Sequence, residues 1–438
     1  MPTFQWFNVS PIVKKTIANL TWLSVDRIIR LFGAVIVNAW LTRYLGPEQN
    51  GILGYTLAFV GIFSPIAVLG MDSIVVRDVV RESDSKNEIL GSSFILRLLG
   101  GVCLLFLSSV SIFILRPNDG LLQLLVIVTS STFLFQSFDV IDYWFQSQVQ
   151  SKYTVFAKNF AFFLSSAAKI ICLLLGQELY VFVIINAVEI VIAAVGLVIV
   201  YHKKASSLRE WTFSWIRVKN LLHDSWPITI TNFALLAQSR IDQVMIGEFL
   251  TNSDVGYYAA AQKVSEPLGF IPMIIMSSVY PIIIKTRTWS MEEYYKRLTN
   301  LYRLMFALTL AVCIPFAFFS KSIIYLLYGQ QFAPSALILS LLVWSRFFGA
   351  FGVARSIFIS AENLFVHALL SSLAGVSVNF VANYFLIQRF GVFGSIAATY
   401  ISGIVTIFVM DGLSKRTRVN FVAMIKGVTS FYKFSLKN

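Results

Sequence analysis

The sequence predicts an all-α integral membrane protein with about twelve transmembrane helices. Its 438 residues are 57% apolar and only 13% charged, and the mean hydropathy is +0.74. Soluble domains carry roughly 25% charged residues, so a soluble fold could not cover this much apolar surface. The apolar residues occur in separate runs, and each run is close to the ~20 residues that a helix needs to cross the hydrocarbon.

Twelve apolar runs are predicted to span the bilayer, with ends that are uncertain by several residues. The first, fourth and seventh carry charges and are the least apolar. An even number of spans places both termini on the same side. The predicted spans are 17–42, 51–71, 89–115, 121–145, 153–175, 179–201, 225–250, 255–284, 304–328, 334–359, 364–388 and 392–410.

The distribution of basic residues predicts the orientation. Of the 35 Lys and Arg residues, 23 lie on the side that holds both termini and only 4 lie on the opposite side. Because segments rich in Lys and Arg stay in the cytoplasm, both termini are predicted to be cytoplasmic. The same asymmetry supports the number of spans, since one missed span would reverse the alternation beyond it.

The chain is predicted to consist of two six-helix lobes around a central cavity. The longest predicted cytoplasmic connection lies near the middle, and residues 44–51 have a weak echo 205 positions later, at 249–256. Internal duplication is common in transporters. The predicted parts are an N-terminal lobe (1–201), a basic linker (202–224), a C-terminal lobe (225–410) and a basic tail (411–438).

At least fourteen ionisable side chains fall within the predicted spans. A charge costs roughly 3 kcal/mol at a lipid-facing position in mid-membrane, so most of them must line a hydrated cavity, pair, or reach the interface. The bases expected to line the cavity and bind substrate are Arg27, Arg30, Arg240, Lys263 and Arg346. The acids beside them, which are candidates for ion coupling, are Asp26, Asp242 and Glu266.

The other charges inside the spans have plainer interpretations. Arg97 and Lys169 are expected to pair or to extend to the interface. Asp139 and Asp142 are expected to form an interface anchor or a pair between helices. His367 is interpreted as structural.

The predicted cavity is net positive. With Arg355 included, six bases face three acids, and Asp26 and Arg30 are spaced to pair on one helix face. Arg346 and Arg355 lie half a turn apart, so both reach one cavity only if the helix is distorted. A cationic cavity suits an anionic substrate such as a phosphate or pyrophosphate, whereas an exporter of cationic drugs would favour an acidic one.

No pattern for covalent chemistry is present in the sequence. There is no phosphate-binding GxxxxGK[ST] loop and no HExxH motif. Cys103, Cys172 and Cys313 are far apart in apolar runs and are interpreted as small hydrophobic residues. We therefore expect no enzyme, no cofactor, no metal site and no nucleic-acid partner. A membrane glycan polymerase stays as a distant alternative, although such enzymes usually have a large external loop.

Three segments carry a resemblance to a known family. Residues 41–51 (LTRYLGPEQNG) resemble the end of the first helix in Wzx-type polysaccharide flippases of the multidrug/oligosaccharidyl-lipid/polysaccharide exporter superfamily. Residues 139–146 (DVIDYWFQ) look like the fourth-helix signature of O-antigen and capsule flippases. Residues 240–247 (RIDQVMIG), followed by 255–258 (VGYY), are similar to the junction of the seventh and eighth helices.

The resemblance implies a V-shaped bundle of twelve helices in two lobes around a cationic cavity, as in MATE transporters. It implies that undecaprenyl-pyrophosphate-linked oligosaccharide crosses the bacterial inner membrane by alternating access, for synthesis of surface polysaccharide. The implied partners are that lipid-linked substrate, membrane lipid, a glycan polymerase and a chain-length regulator. The alternative within the superfamily is an ion-coupled exporter of small molecules.

Overall fold

The computed structural model describes the backbone of residues 11–433 and the side chains from residue 35 to residue 432. This part of the chain contains eighteen α-helices, several short 3₁₀ turns and one π-helical turn, and no strand. An apolar chain in a bilayer must satisfy its backbone groups internally, and helices do so within each segment. The described residues form two compact units.

Unit 1 comprises the described part of Met1–Tyr44 together with Phe59–Phe233. Its helices include one short helix, α2, that lies within a predicted cytoplasmic connection. The helices are α1 (Pro11–Val68), α2 (Asp72–Arg81), α3 (Lys86–Leu115), α4 (Gly120–Gln136), α5 (Val140–Ser147), α6 (Lys152–Leu174), α7 (Leu179–Lys204) and the first part of α8 (Trp215–Phe249).

The first two predicted spans lie on either side of a helix break at Gly46. Helix α1 is helical on both sides of this break, where Gly46 has non-helical angles with a φ of 71°. A left-handed φ is free of strain for glycine, and Pro47 has the φ that starts a helix. The direction of the chain therefore changes at one residue, and residues 43–50 form no separate loop.

The core of unit 1 includes the segments that were predicted as cytoplasmic connections. Val75 of α2, Phe145 of α5 and Tyr201 of α7 belong to one buried cluster with Leu221 of α8. The indole Nε1 of Trp211 donates to Tyr201 Oη at 3.1 Å. Helix α8 thus begins ten residues before the predicted start of the seventh span, because its first turns have a core to pack against. The division into two functional lobes stays a prediction.

An ion pair holds the first turn of α8 to the connection between α2 and α3 and to the start of α3. Arg217 Nη2 donates to Glu82 Oε2 at 2.7 Å, and Arg217 Nε donates to Glu88 Oε1 at 3.3 Å. The guanidinium lowers the pKa of Glu82, and the hydrogen bond from Arg217 is the main cause. The same contact raises the pKa of Arg217. The predicted basic linker is therefore neutralised in part by acids of unit 1.

Unit 2 comprises Leu45–Ala58 and the described part of Ala234–Asn438. It contains the rest of α8, and a π-helical turn at Val405–Val409 joins two of its helices. The further helices are α9 (Asn252–Ser265), α10 (Phe270–Arg287), α11 (Met291–Phe318), α12 (Ser320–Tyr328), α13 (Ala333–Leu342), α14 (Arg346–Ala361), α15 (Phe365–Phe390), α16 (Val392–Ile404), α17 (Met410–Leu413) and α18 (Arg418–Thr429).

The two segments that echo each other in the sequence contact each other in unit 2. A Cβ atom added at Gly51 would lie 1.7 Å from the carbonyl oxygen of Asn252, and one added at Gly256 would lie 1.9 Å from that of Pro47. Asn50 Nδ2 donates to the Gly256 carbonyl at 3.1 Å. The matching glycines thus permit a backbone approach that no other residue type allows.

Ten helical segments in the described part are long and apolar enough to span a membrane. They correspond to the predicted spans other than the first and the seventh. The first falls mostly where side chains are not described, and the seventh belongs to α8, which carries Arg240 and Asp242. Helix α11 begins at Met291, well before the predicted residue 304, because Ser290 caps it by accepting a hydrogen bond from the Glu293 amide.

Candidate functional site

Two of the predicted cavity residues, Arg240 of α8 and Glu266, which follows α9, form an ion pair. Arg240 Nη1 lies 3.0 Å from Glu266 Oε1, and the two side chains are 32% and 38% exposed. Gln262 Nε2 donates to the same Glu266 oxygen at 3.0 Å. Arg240 is therefore partly neutralised, yet it stays accessible to a ligand.

Lys263 lies on α9 beside the crossing of the two glycine segments. Its Nζ donates to Asn50 Oδ1 at 3.0 Å, and Asn50 is fully buried. Lys263, which was predicted to bind substrate, is therefore hydrogen-bonded to a residue next to the start of the second predicted span. Movement of either segment would change its position.

Arg346 begins α14 and lines a cavity of about 20 Å³, which has room for one water molecule. Its Nη2 donates to the neighbouring Ser345 hydroxyl at 3.3 Å. Its buried Nε has no hydrogen-bond partner among the described residues. In that part of the chain no carboxylate forms an ion pair with Arg346. A cation inside a span without a counter-ion is a marker of function.

Asp242, one turn of α8 before Gly247, is 3% exposed and lies in a neutral polar pocket. Tyr258 Oη donates to it at 3.0 Å, Thr399 Oγ1 at 2.6 Å and Asn383 Nδ2 at 2.7 Å. No Lys or Arg with a described side chain forms an ion pair with it. A buried carboxylate held only by neutral donors lacks the counter-charge that burial normally requires.

Sequence reasoning missed the partners of Asp242. Asn379 and Asn383 are four residues apart on α15, and Ser395 and Thr399 are four apart on α16, so each pair lies on one helix face. The Asn383 Oδ1 and Ser395 Oγ atoms are buried without a hydrogen-bond partner in the described part of the chain. The recurrence of polar residues at this spacing in two apolar spans was the signal that could have indicated them.

Three of the predicted site residues cannot be placed. Asp26, Arg27 and Arg30 belong to α1, but they lie outside the residues whose side chains are described. Their assignment to substrate binding and ion coupling stays a prediction.

Asp139, Asp142 and Arg97 of unit 1 take part in ion pairs between helices. Lys158 Nζ lies 2.9 Å from carboxylate oxygens of both Asp139 and Asp142, and Asp139 is also 3.8 Å from Arg97. Arg97 donates to the hydroxyl of Tyr143 as well. Asp139 and Asp142 therefore form the pair between helices that the sequence suggested as one of two roles.

A second pair in unit 1 joins α6 to α7. Lys169 Nζ lies 3.3 Å from Glu189 Oε2, and Ser165 donates to the same oxygen. Of the two roles predicted for Lys169, pairing or extension to the interface, the ion pair with Glu189 confirms the first.

Arg355 was counted among the bases of the predicted cavity, but it forms an ion pair with Asp411 instead. Its Nε and Nη2 donate to Asp411, which is fully buried, and the shortest of these distances is 2.6 Å. His367 Nε2 lies 2.8 Å from the same carboxylate. Asp411 lies one residue beyond the predicted end of the last span, so sequence reasoning did not pair it. The described part of the candidate site thus has three bases, Arg240, Lys263 and Arg346, against the acids Asp242 and Glu266.

Comparison with solved structures tests the predicted fold. The chain superposes on a structure titled as the inward-facing conformation of a multidrug resistance MATE family transporter of the MOP superfamily, with a TM-score of 0.71, 16% identity, and coverage of 95% of this chain and 99% of that one. A structure of the lipid II flippase MurJ in an inward closed conformation gives a TM-score of 0.68 at 14% identity, covering 96% and 94%. The predicted all-helical, multi-span membrane fold is confirmed.

Comparison with protein families gives the identity. The model for the family described as polysaccharide biosynthesis protein matches residues 16–287, more than half of the chain. The chain belongs to this family of flippase-type transporters, as its resemblance to polysaccharide flippases predicted.

Two curated relatives accord with this family. A putative O-antigen transporter of Shigella flexneri is 21% identical over 401 residues, which are 88% of this chain and 93% of that protein. A probable low-salt glycan biosynthesis flippase, Agl15 of Haloferax volcanii, is 24% identical over 204 residues, which are 46% of this chain and 42% of that protein.

Proposed function

We propose that this protein moves undecaprenyl-pyrophosphate-linked oligosaccharide units across the bacterial cytoplasmic membrane by alternating access, for surface polysaccharide synthesis. The family and its relatives support a lipid-linked glycan as the cargo. The fold, which this chain has in common with a MATE transporter and with a lipid flippase, supports transport without covalent chemistry.

The observation that carries the proposal is Arg346. Its guanidinium lies at the start of a helix inside a predicted span, and its Nε is buried. Because it has no paired carboxylate among the described residues, it is suited to bind an anion. Pyrophosphate offers oxygens that a planar guanidinium can bind bidentately. Arg240 and Lys263 add positive charge in the same unit.

The Asp242 pocket supports coupling to a cation. A proton or a monovalent cation at Asp242 would neutralise the carboxylate, and the Asn383 Oδ1 atom, which has no hydrogen-bond partner among the described residues, would complete its surroundings. Glu266 is a weaker candidate for coupling, because Arg240 already neutralises it. Release of the cation on one side of the membrane would leave a buried charge whose cost favours a change of conformation.

A test of the proposed function uses the purified protein in vesicles that contain a fluorescent undecaprenyl-pyrophosphate-linked oligosaccharide. We expect the labelled lipid to reach the outer leaflet at a rate that falls at least tenfold in Arg346→Ala and recovers in part in Arg346→Lys. An ordinary cationic drug, offered in place of the lipid, should not be carried. Transport of the drug but not of the lipid-linked glycan would support the small-molecule exporter instead.

The orientation can be tested separately in intact cells. With Cys103, Cys172 and Cys313 replaced by alanine, Lys204→Cys should resist an impermeant thiol reagent added outside. Asn118→Cys, which is exposed between α3 and α4, should react with it. The reverse result would contradict the cytoplasmic placement of both termini.

A further inference from the structure

The last helix, α18, has one buried face and one exposed face. Asn420, Ala423, Met424 and Gly427 are buried, and Ala423 and Met424 belong to the same hydrophobic cluster as residues of α11. Residues on the opposite face are exposed and include no acid. They are Arg418, Val419, Val422, Ile425, Lys426 and Thr429.

The beginning of α18 is fixed to the end of the last candidate span. Thr417 Oγ1 donates to the Asp411 carbonyl at 2.9 Å, and Asn420 Nδ2 donates to the Asp411 carboxylate at 2.9 Å. Asn420 Oδ1 also accepts a hydrogen bond from Tyr302 of α11 at 2.9 Å. The candidate span itself ends at Leu413.

The end of α18 is fixed to α11. Arg303 Nε donates to Ser430 Oγ at 3.0 Å, and the ring of Phe431 lies 5.2 Å from that of Phe306. The polar first half of α11 ends at Arg303, and its apolar run begins at the next residue, Leu304. Both ends of α18 therefore contact the ends of candidate spans, which is the position expected of a helix that lies along the membrane surface.

The charge of this segment is of one sign. After Asp411 the sequence has no acid and six bases, which are Lys415, Arg416, Arg418, Lys426, Lys433 and Lys437. Tyr432 is 71% exposed directly after the helix. Bases that alternate with aliphatic side chains, with an aromatic at one end, are typical of a helix that lies in the headgroup region.

We propose that α18, together with Lys415 and Arg416 just before it, forms an interfacial binding site for acidic phospholipid headgroups. The aliphatic residues Val419, Val422 and Ile425 enter the upper acyl region, and the bases contact lipid phosphates. A protein partner with an acidic surface would use the bases as well. Aliphatic residues at the level of the bilayer surface favour the lipid. The proposal does not depend on which cargo the protein carries.

The experiment uses the full chain in nanodiscs with a fluorophore on Val422→Cys, in a background where the three native cysteines are alanine. Quenching by brominated phosphatidylglycerol is compared with quenching by brominated phosphatidylcholine at the same mole fraction. Each base near a surface favours acidic lipid about fivefold, so the phosphatidylglycerol should quench several times more strongly. The preference should fall in 0.5 M salt.

Neutralising Lys415, Arg416, Arg418 and Lys426 to glutamine should bring the ratio of the two quenching constants near one. The matched control removes four exposed lysines elsewhere on the predicted cytoplasmic side and should keep the preference. The control lysines are Lys203, Lys219, Lys285 and Lys296.

Equal quenching of the wild-type chain by both lipids would overturn the proposed selectivity. No quenching by either lipid would show that the exposed face is not in the bilayer and would overturn the site altogether. Because no step of this experiment requires transport, its failure is separate from a failure of the proposed function.

Discussion

Replacing Arg240 by alanine separates two roles that the structure allows for this side chain. Its ion pair with Glu266 has a distance of 3.0 Å and both partners are about one-third exposed. Pairs with such exposure contribute about 0.2–1 kcal/mol, so Arg240→Ala should lower the free energy of unfolding by no more than about 1 kcal/mol. A hydrogen bond to a charged ligand contributes about 1.5–3 kcal/mol, which is roughly a 10- to 150-fold weaker Kd when it is lost.

The assay measures both quantities on the same preparation. Thermal unfolding of the protein in nanodiscs reports stability, and titration with undecaprenyl pyrophosphate reports affinity. Arg287→Ala is the matched control, because Arg287 forms a similar half-exposed pair with Glu362 at 2.9 Å outside the candidate site. We expect similar stability in both variants and weaker pyrophosphate binding only in Arg240→Ala.

The double variant Arg240→Ala/Glu266→Gln decides between the two roles. If Arg240 binds the pyrophosphate, removing the acid cannot replace the lost donor and affinity stays low. If Arg240 only neutralises Glu266, the double variant should recover the affinity of the wild-type chain. Such recovery, or unchanged affinity in Arg240→Ala alone, would refute the assignment.

Three further variants test the fold and the coupling site. Gly51→Ala would place a methyl group 1.7 Å from a backbone oxygen, so it should cost about 1–3 kcal/mol and lower the Tm, whereas Gly349→Ala, with nothing within 4 Å, should not. Arg355→Met should cost about 3–5 kcal/mol, because the fully buried Asp411 loses its guanidinium partner and keeps the weaker partners His367 and Asn420, and a Tm close to wild type would contradict the pairing. Asp242→Asn should reduce gradient-driven transport in vesicles at least tenfold with little change in pyrophosphate affinity, and transport at the wild-type rate would remove Asp242 from coupling.

The sequence predicted the membrane-spanning helices because hydropathy measures the property that the bilayer selects. It misplaced the starts of the helices that continue beyond the apolar region. Helices α8 and α11 begin in polar sequence, at Trp215 and Met291, and they are stabilised there by packing and by a Ser290 cap. Hydropathy measures neither the packing of a polar helix end nor a capping hydrogen bond, so it cannot predict where such helices begin.

The candidate site was only partly predictable for a related reason. Composition and helical angles could select the charged residues, but they could not supply partners that are distant in the chain. Asn383 and Thr399 are 141 and 157 residues from Asp242, and Asp411 is 56 residues from Arg355. The packed structure shows that Arg355 neutralises Asp411, whereas no described Lys or Arg forms an ion pair with Asp242.

This difference is the strongest argument for function that the molecule offers. Within the described side chains, the ionisable residues Arg97, Lys169, Arg240 and Arg355 all have carboxylate partners. Arg346 does not, and Asp242 is a carboxylate without a cation, although both lie in unit 2 inside predicted spans. Because a bilayer penalises an uncompensated charge of either sign, we propose that mobile charges bind at both residues. A cation-coupled flippase would bind two such charges, which are an anionic lipid headgroup at Arg346 and a coupling cation at Asp242.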